Sequence, residues 1–387
     1  MNGRRVLGLL LLVALAAATT GWPPLLNIAY LLSGVLAVGW LWARASLLGL
    51  ELRREPTGGR MQVGDTFVQR VELRGRGPLP RLGLAVVDLT TLPGHEPGRV
   101  VDLPPFAHVG WTIRTRCTRR GEHRLGPVEL VASDPLACFA ARRRLPAAGA
   151  VLVLPPTEPL PGFRLPGGEA LAGGPAHPAG ALGAVHAASV RALGPGDPVR
   201  RIHWRSTARA GQLMVRELEP EPSADVWLAL DLQAAAHDGV GADATEERAV
   251  AVAASVARRC LDDGCAVALV AWGDRPVLLP PDRGERQLLR LLETLAVVRA
   301  RGARPFAELL RWDAVRPGRG AVLVAITPSR DPGWARALDA ARGRGVRPLA
   351  ILVDPAPGGP VPARLAGGVP LRVVRRGEPL GTALAAR

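Results

Sequence analysis

The chain of 387 residues is long enough for two or three domains. Its formal net charge is +15, every one of its 49 lysine-or-arginine positions is arginine, and alanine, glycine and proline are abundant. The arginines are spread along the chain rather than clustered. That argues against a nucleic-acid binder and leaves solvent or an anionic membrane surface as their setting.

Residues 1–49 read as a two-span membrane hairpin. Val6–Thr20 is nearly all apolar, Gly21-Trp22-Pro23-Pro24 breaks the run, and Leu25–Ala43 is a second apolar stretch. The second run is long enough to cross the hydrocarbon core and the first is marginal. Taken alone, the first run also fits a signal peptide, because Arg4 and Arg5 precede a short apolar core; the second run argues against it. Arg4 and Arg5 lie before the pair, Arg44, Arg53 and Arg54 lie after it, and the connecting turn is uncharged. The positive-inside rule then places both ends, and the soluble domains, in the cytoplasm.

Residues 50–161 read as an all-β domain. In Thr66–Arg74, Phe67, Val71 and Leu73 alternate with polar positions; in Trp111–Thr118, Trp111, Ile113, Thr115 and Cys117 alternate with Thr112, Arg114, Arg116 and Thr118. Period-two patterning of this kind marks strands with one buried face. Leu82–Leu89, Val128–Ala132 and Ala150–Leu154 are further strands between Gly/Pro turns, and Asp134-Pro135 starts one such turn. Several short strands at this spacing predict a β-sandwich. Residues 162–189 are rich in glycine, alanine and proline and read as a flexible linker. Its His177 and His186 lack acidic or cysteine partners for a metal.

Arg191–Glu221 is the densest stretch of the chain. Pro195-Gly196 is a turn pair, and Asp197-Pro198 reads as a helix N-cap followed by proline at the first helical position. The spacing predicts a helix from Pro198 to about Arg209, a left-handed stop at Gly211 and a short strand over Leu213–Leu218. Arg200, Arg201, Arg205 and Arg209 surround Trp204. Arg191, Pro195, Gly196, Asp197, Arg200 or Arg201, Ile202, His203, Trp204, Ala208, Arg209, Arg216 and Glu217 together resemble the signature of the domain of unknown function 58 family. Leu193 stands where that family has an aromatic residue, and Ala192 where an acidic one is common.

Beyond Val226, strands alternate with helices. Val226–Asp231, Ala266–Trp272, Pro276–Leu279, Ala321–Thr327 and Leu349–Asp354 read as strands. Helices follow Asp243, span Arg286–Arg299 and run from Trp334 to about Arg342. This order predicts a mostly parallel sheet covered on both faces. The resemblance implies more: two N-terminal spans, an immunoglobulin-like sandwich, and over residues 190–387 a von Willebrand factor A-like domain. In that fold a metal site begins Asp-x-Ser-x-Ser, one carboxylate and two hydroxyls for a hard divalent ion. Here Asp231 survives, Gln233 and Ala235 replace the serines, and Thr327 supplies a possible second-loop hydroxyl; no metal and no cofactor are expected. The cysteines show no zinc-like spacing, and Cys117 and Cys260 fall on buried faces.

Three functional classes stand open at this point. The first is a membrane-anchored adaptor, and the resemblance implies a MoxR-type AAA ATPase as its partner. In it Asp197, Arg200, Arg201, Trp204 and Arg209 serve either as an internal brace, the favoured reading, or as a docking face. The second is an envelope-associated hydrolase using His203 and Asp197, opposed by the absence of a nucleophile elbow, a phosphate-binding glycine loop or paired carboxylates. The third is a metal-dependent adhesion module, opposed by Gln233 and Ala235. No small-molecule substrate is indicated.

Overall fold

The computed structural model describes residues 3–56, 58–146, 149–167, 187–194, 202–218, 225–241, 243–313, 315–354, 365 and 368–385. Contacts divide the chain into two units, Met1–Pro156 and Thr157–Arg387.

The first unit opens with helices α1 (Gly3–Thr20) and α2 (Pro23–Ala45), which pack on each other. Gly21, with φ of 64°, makes the break between them. Of the two, only α2 is long and apolar enough to cross a membrane, by length and composition. The apolar part of α1 is shorter, so the expected pair of spans reduces to one helix that meets the length requirement.

Ten strands follow: β1 (Leu50–Pro56), β2 (Arg60–Gln62), β3 (Thr66–Gly75), β4 (Arg81–Asp88), β5 (Gly98–Leu103), β6 (His108–Arg116), β7 (Gly121–Arg124), β8 (Val128–Ser133), β9 (Ala140–Leu145) and β10 (Ala150–Leu154). They form sheets in the orders β1-β3-β6, β2-β10-β7 and β5-β4-β8-β9. The first and third sheets share a core of Leu73, Leu84, Leu103 and Leu130, the expected sandwich packing. The alternation in β3 and β6 is real: Phe67, Val71, Leu73, Ile113 and Thr115 are buried.

One buried ionic cluster ties the two sheets. Asp88, at the end of β4, accepts from Arg54 Nη2 of β1 at 2.6 Å and faces His95 Nε2 at 2.8 Å; His95 Nδ1 lies 3.0 Å from Thr115 Oγ1 of β6. Thr90 closes the other carboxylate oxygen, its hydroxyl donating at 2.6 Å. Burial alone would push the Asp88 carboxyl up. Hydrogen bonds from His95, Arg54 and Thr90, with the charge of Arg54, hold it well below the usual carboxylate range.

The second unit carries the antiparallel pair β11 (Ala187–Ala192) and β12 (Met214–Leu218), with α3 (Trp204–Ala210) between them in sequence. Its main sheet uses β13 (Val226–Leu230), β14 (Val267–Trp272), β15 (Pro276–Asp282), β16 (Val322–Thr327), β17 (Arg347–Asp354) and β18 (Leu371–Arg375). The order is β15-β14-β13-β16-β17-β18. All neighbours are parallel except β15, the antiparallel edge. Helix α4 (Thr245–Asp262) packs on β13, β14, β16 and β17 and against α5 (Gly284–Val297). Two further helices, α6 (Phe306–Leu309) and α7 (Gly333–Gly343), share a core with Trp227, Ala229, Leu323 and Ala325. Alternate residues of β13 therefore face opposite layers, as a parallel sheet covered on both faces requires. A last short helix, α8 (Leu380–Ala383), packs on β18.

Replacing Asp88 with asparagine leaves Arg54 buried beside a neutral partner, and breaking such a pair costs about 3–5 kcal/mol. A carboxylate depressed in the folded state contributes its full stabilisation above the unfolded pKa and loses it as pH falls below about 4. Chemical denaturation across acidic pH should therefore show a steeper loss of stability in the wild type than in Asp88→Asn. Parallel curves would remove Asp88 from the account of acid sensitivity.

Candidate functional site

The order of the main sheet reverses between β13 and β16, and in such sheets ligands bind beyond the C-terminal ends of the strands at that point. Asp231 follows β13 and Thr327 ends β16, so both stand at this crevice. Thr327 Oγ1 donates to Asp231 Oδ2 at 2.5 Å, and Gln233 N donates to Oδ1 at 2.9 Å. Ser329 N in turn donates to Thr327 Oγ1 at 2.9 Å. Asp231 is 1% exposed and Thr327 0%. Burial pushes the Asp231 carboxyl up, against the opposing pull of Thr327, Gln233 N and His237.

Sequence reasoning passed over His237, and the fold brings it here. Its Nε2 donates to the Asp231 carbonyl oxygen at 2.9 Å, and its Nδ1 lies 3.2 Å from Thr245 Oγ1. The Thr245 hydroxyl, buried at the start of α4, also accepts from Asp238 N at 2.8 Å. His237 thus fastens the loop after β13 to α4.

Of the four positions in the degenerate metal motif, the structure brings Asp231 and Thr327 together. Gln233 contributes its backbone N–H, and Ala235 lies exposed in a 3-10 turn over Ala234–Ala236. A hard divalent ion takes six or more oxygen ligands. The side-chain oxygens here number two carboxylate atoms and one hydroxyl, and they are already bonded to one another or to backbone. Among the described residues no group of three or more His, Cys, Asp or Glu is placed to hold a metal. The donor set does not fit an ion.

Beside the crevice, at the end of β14, lies an open cleft of about 410 Å³ that the sequence did not disclose. Its aromatic wall is Trp272 and Trp312, with ring centroids 5.5 Å apart, and the Arg304 guanidinium stacks 4.8 Å above the Trp272 ring. Arg275 and Arg301 line the same cleft, Arg301 standing 3.9 Å from Asp274. Its floor is set by Gly302, whose N–H donates to Leu232 O at 2.9 Å and whose carbonyl accepts from Ala234 N at 2.8 Å. A Cβ at Gly302 would run into the Trp272 carbonyl oxygen, and one at Gly273 would lie 2.9 Å from Arg299 O. Trp272 and Trp312 are far apart in sequence with no shared periodicity, so only the fold joins them.

The signature stretch is built differently from its sequence reading. The helix starts at Trp204, not at Pro198. Ile202 forms a β-bridge with Val215, and His203 N donates to Met214 O at 2.7 Å, so this backbone belongs to the ribbon and cannot enter the helix. His203 is the N-cap in place of Asp197: its Nδ1 accepts from Ser206 N at 3.2 Å and lies 2.7 Å from Ser206 Oγ. Gly211 does stop the helix, with φ of 68°. Backbone pairing sets Arg191 opposite Val215, Arg216 opposite Val190 and Glu217 opposite Ser189. Gly196, Asp197, Arg200 and Arg201 lie outside the described residues.

The brace expectation required a buried Trp204. Trp204 is instead 67% exposed, Arg205 and Arg209 are exposed, and no residue of α3 is buried. Seven residues make too short a helix to bury a full apolar stripe, and β12 is met through Ile202, His203 and Thr207 instead. The Ser206–His203 contact is a capping arrangement. Nδ1 faces both the hydroxyl and the N–H of Ser206, and no described carboxylate orients the ring as a catalytic triad needs. All four cysteines are free, and Cys117 and Cys260 are buried as expected.

Calorimetric titration of the protein with Mg²⁺ or Mn²⁺ should give no saturable heat. A micromolar site abolished by Asp231→Ala would overturn this account of the crevice. Thr327→Val removes one donor from a buried carboxylate and should cost about 1–3 kcal/mol in denaturant unfolding.

Residues 189–356 match the family described as "Protein of unknown function DUF58". Over 142 residues the chain is 32% identical to the uncharacterised protein YeaD of Bacillus subtilis, covering 36% of this chain and 34% of YeaD. Over 157 residues it is 31% identical to the uncharacterised protein Rv1480 of Mycobacterium tuberculosis, covering 39% of this chain and 49% of that one. The matched stretch therefore spans between a third and a half of these relatives' length. Among solved structures, the conserved hypothetical protein BatB from Bacteroides thetaiotaomicron superposes with a TM-score of 0.26 at 16% identity, covering 42% of this chain and 85% of BatB. The cupredoxin domain of amoB from Nitrosocaldus yellowstonii gives 0.21 at 10% identity, covering 27% and 87%. Superpositions this loose assign no fold. Residues 189–356, which hold α3, Asp231, Thr327 and the tryptophan cleft, are thus the part of this chain that is similar to the DUF58 family of proteins of unknown function.

Proposed function

We propose that the protein is a membrane-anchored adaptor whose second unit captures a protein partner rather than turning over a substrate. The observation that carries this reading is Trp204, a large aromatic side chain 67% exposed on a helix with no buried residue. Arg205 and Arg209 stand exposed on the same short helix. Tryptophan and arginine dominate the energetics of protein interfaces, so α3 has the composition of a docking face. The closed crevice at Asp231 supports the same reading, because its polar atoms are spent on one another. In this reading the strand order of the main sheet is that of a von Willebrand factor A-like domain that has lost its metal, and the strands that precede it in the chain form an immunoglobulin-like sandwich.

The anchor is α2, with α1 completing a hairpin and both units facing the cytoplasm; the arginines around the hairpin and the uncharged turn support that orientation. The partner proposed is a MoxR-type AAA ATPase, which the family resemblance implies. A hydrolase built on His203 and Asp197 is the rival; with Nδ1 of His203 engaged by Ser206 at the cap of α3, its base would be Nε2.

Trp204→Ala separates docking from bracing. An exposed side chain contributes little to folding, so the melting curve should move by less than about 0.5 kcal/mol equivalent. Binding of the purified ATPase to full-length protein in nanodiscs should weaken by tenfold or more, roughly 1.4 kcal/mol. Undiminished binding by a normally folded Trp204→Ala variant would end the docking assignment.

A further inference from the structure

The first unit grips the exit of α2. Buried Arg81 on β4 donates from Nε to Ser46 O and from Nη2 to Leu48 O, each at 2.8 Å. Arg143 on β9 donates from Nη1 to Leu47 O at 2.7 Å. These carbonyls lie at or just past the end of the helix, where backbone acceptors lack helical partners.

A further contact runs back along the helix. The β8–β9 turn is folded by Asp134, which accepts from Leu136 N at 3.0 Å and Phe139 N at 2.5 Å. At Gly39 of α2 a Cβ would stand 3.2 Å from Asp134 Oδ2 and 3.5 Å from the Phe139 ring, so the turn lies against the helix where no side chain intervenes. Its tip, Leu136, is 58% exposed. With Leu31, Val35 and Val38 of α2 it lines a groove of about 620 Å³.

The level of this tip can be read from α2. Trp40, Trp42 and Arg44 form an aromatic and basic girdle, with the Arg44 guanidinium 4.3 Å over the Trp40 ring. Such girdles mark the membrane–water interface. From Pro23 to Trp40 the helix rises about 26 Å at 1.5 Å per residue, close to a hydrocarbon thickness. Val35 lies about 7 Å before Trp40 on the same rise. The groove therefore starts within the girdle, where Trp42 lines it, and runs along α2 toward the hydrocarbon side past Val38 and Val35 to Leu31, with Leu136 on its wall. Behind the tip, β9 carries Arg142, Arg143 and Arg144 in succession, all exposed. Arg143 is held by Leu47 O and Arg144 stands 3.8 Å from Glu129, while Arg142 faces solvent. Arginines at this level attract anionic headgroups.

We infer that the β8–β9 turn is a lipid-docking element. Pro135 and Leu136 enter the acyl layer beside α2, the groove takes a phospholipid acyl chain, and Arg142 sits at the headgroups. The inference rests on the reading of α2 as a spanning helix.

The test uses the full chain with Cys138→Ser, reconstituted in phosphatidylcholine–phosphatidylglycerol vesicles, the three remaining cysteines being buried. An environment-sensitive fluorophore is attached at Leu136→Cys, at Leu31→Cys as the spanning control, and at Glu122→Cys as the aqueous control. Nitroxide-bearing lipids then serve as quenchers. The expected result is a blue-shifted emission at position 136 with a loss of intensity comparable to that at position 31. Quenching at 31 with emission at 136 matching the aqueous control overturns the inference and leaves the spanning helix standing. Loss of quenching at both positions overturns the spanning reading and the inference with it. In Arg142→Glu, quenching at 136 should fall while quenching at 31 holds; unchanged quenching at 136 removes the headgroup contact from the proposal.

Discussion

The hydrogen bond between Thr327 and Asp231 joins the C-terminal ends of the two central strands of the main sheet. Everything at that end of the second unit is placed relative to it. Asp231 turns the chain by accepting from Gln233 N, and Thr327 does the same by accepting from Ser329 N. His237 then binds the Asp231 carbonyl and sets the start of α4. A carboxylate buried to this degree needs its oxygens bonded, since an unsatisfied buried charge is costly. The fold meets that need internally, and the same bonds use up the atoms that a ligand at the crevice would require.

Much of the architecture was legible because it follows from periodicity. The alternation in Thr66–Arg74, the continuous apolar run before Trp272 and the glycine stop at Gly211 each reflect a local constraint on backbone or burial. What failed is what depends on distant partners. The start of α3 moved because Ile202 and His203 bond to β12, a contact invisible to helix-cap rules. Strand β9 went unread because Ala140–Leu145 carries three consecutive arginines, which erase the apolar alternation. The arginines around Trp204 favour an internal brace over a docking face, and the short helix leaves the ring exposed. At the candidate site, Asp231 and Thr327 were both named from sequence. His237 and the tryptophan cleft were not, since no spacing rule links residues joined only by sheet topology.

A chain whose long cations are all arginine also solves its loose ends in a particular way. Arg81 holds two carbonyls beyond α2, Arg248 donates to the carbonyls of Arg375 and Glu378, and Arg372 donates to those of Arg164 and Leu384. A planar fork with five donors bridges separate acceptors, which a single ammonium does less well. Arg54 plays the corresponding part for a carboxylate, tying Asp88 across the sandwich. Positive charge in this protein is therefore partly internal mortar, and the net charge overstates how much of it faces a partner.

Gly302 carries a different kind of consequence. Its backbone is bonded twice to the loop after β13, the N–H to Leu232 O and the carbonyl to Ala234 N, and the Trp272 carbonyl leaves no room for a side chain. The floor of the tryptophan cleft is thereby fixed by backbone contacts, and little conformational entropy remains there to be lost on contact with another molecule. Whatever the cleft receives meets a pre-organised surface, so its affinity depends on fit to two indole rings rather than on the capacity of the loop to mould itself.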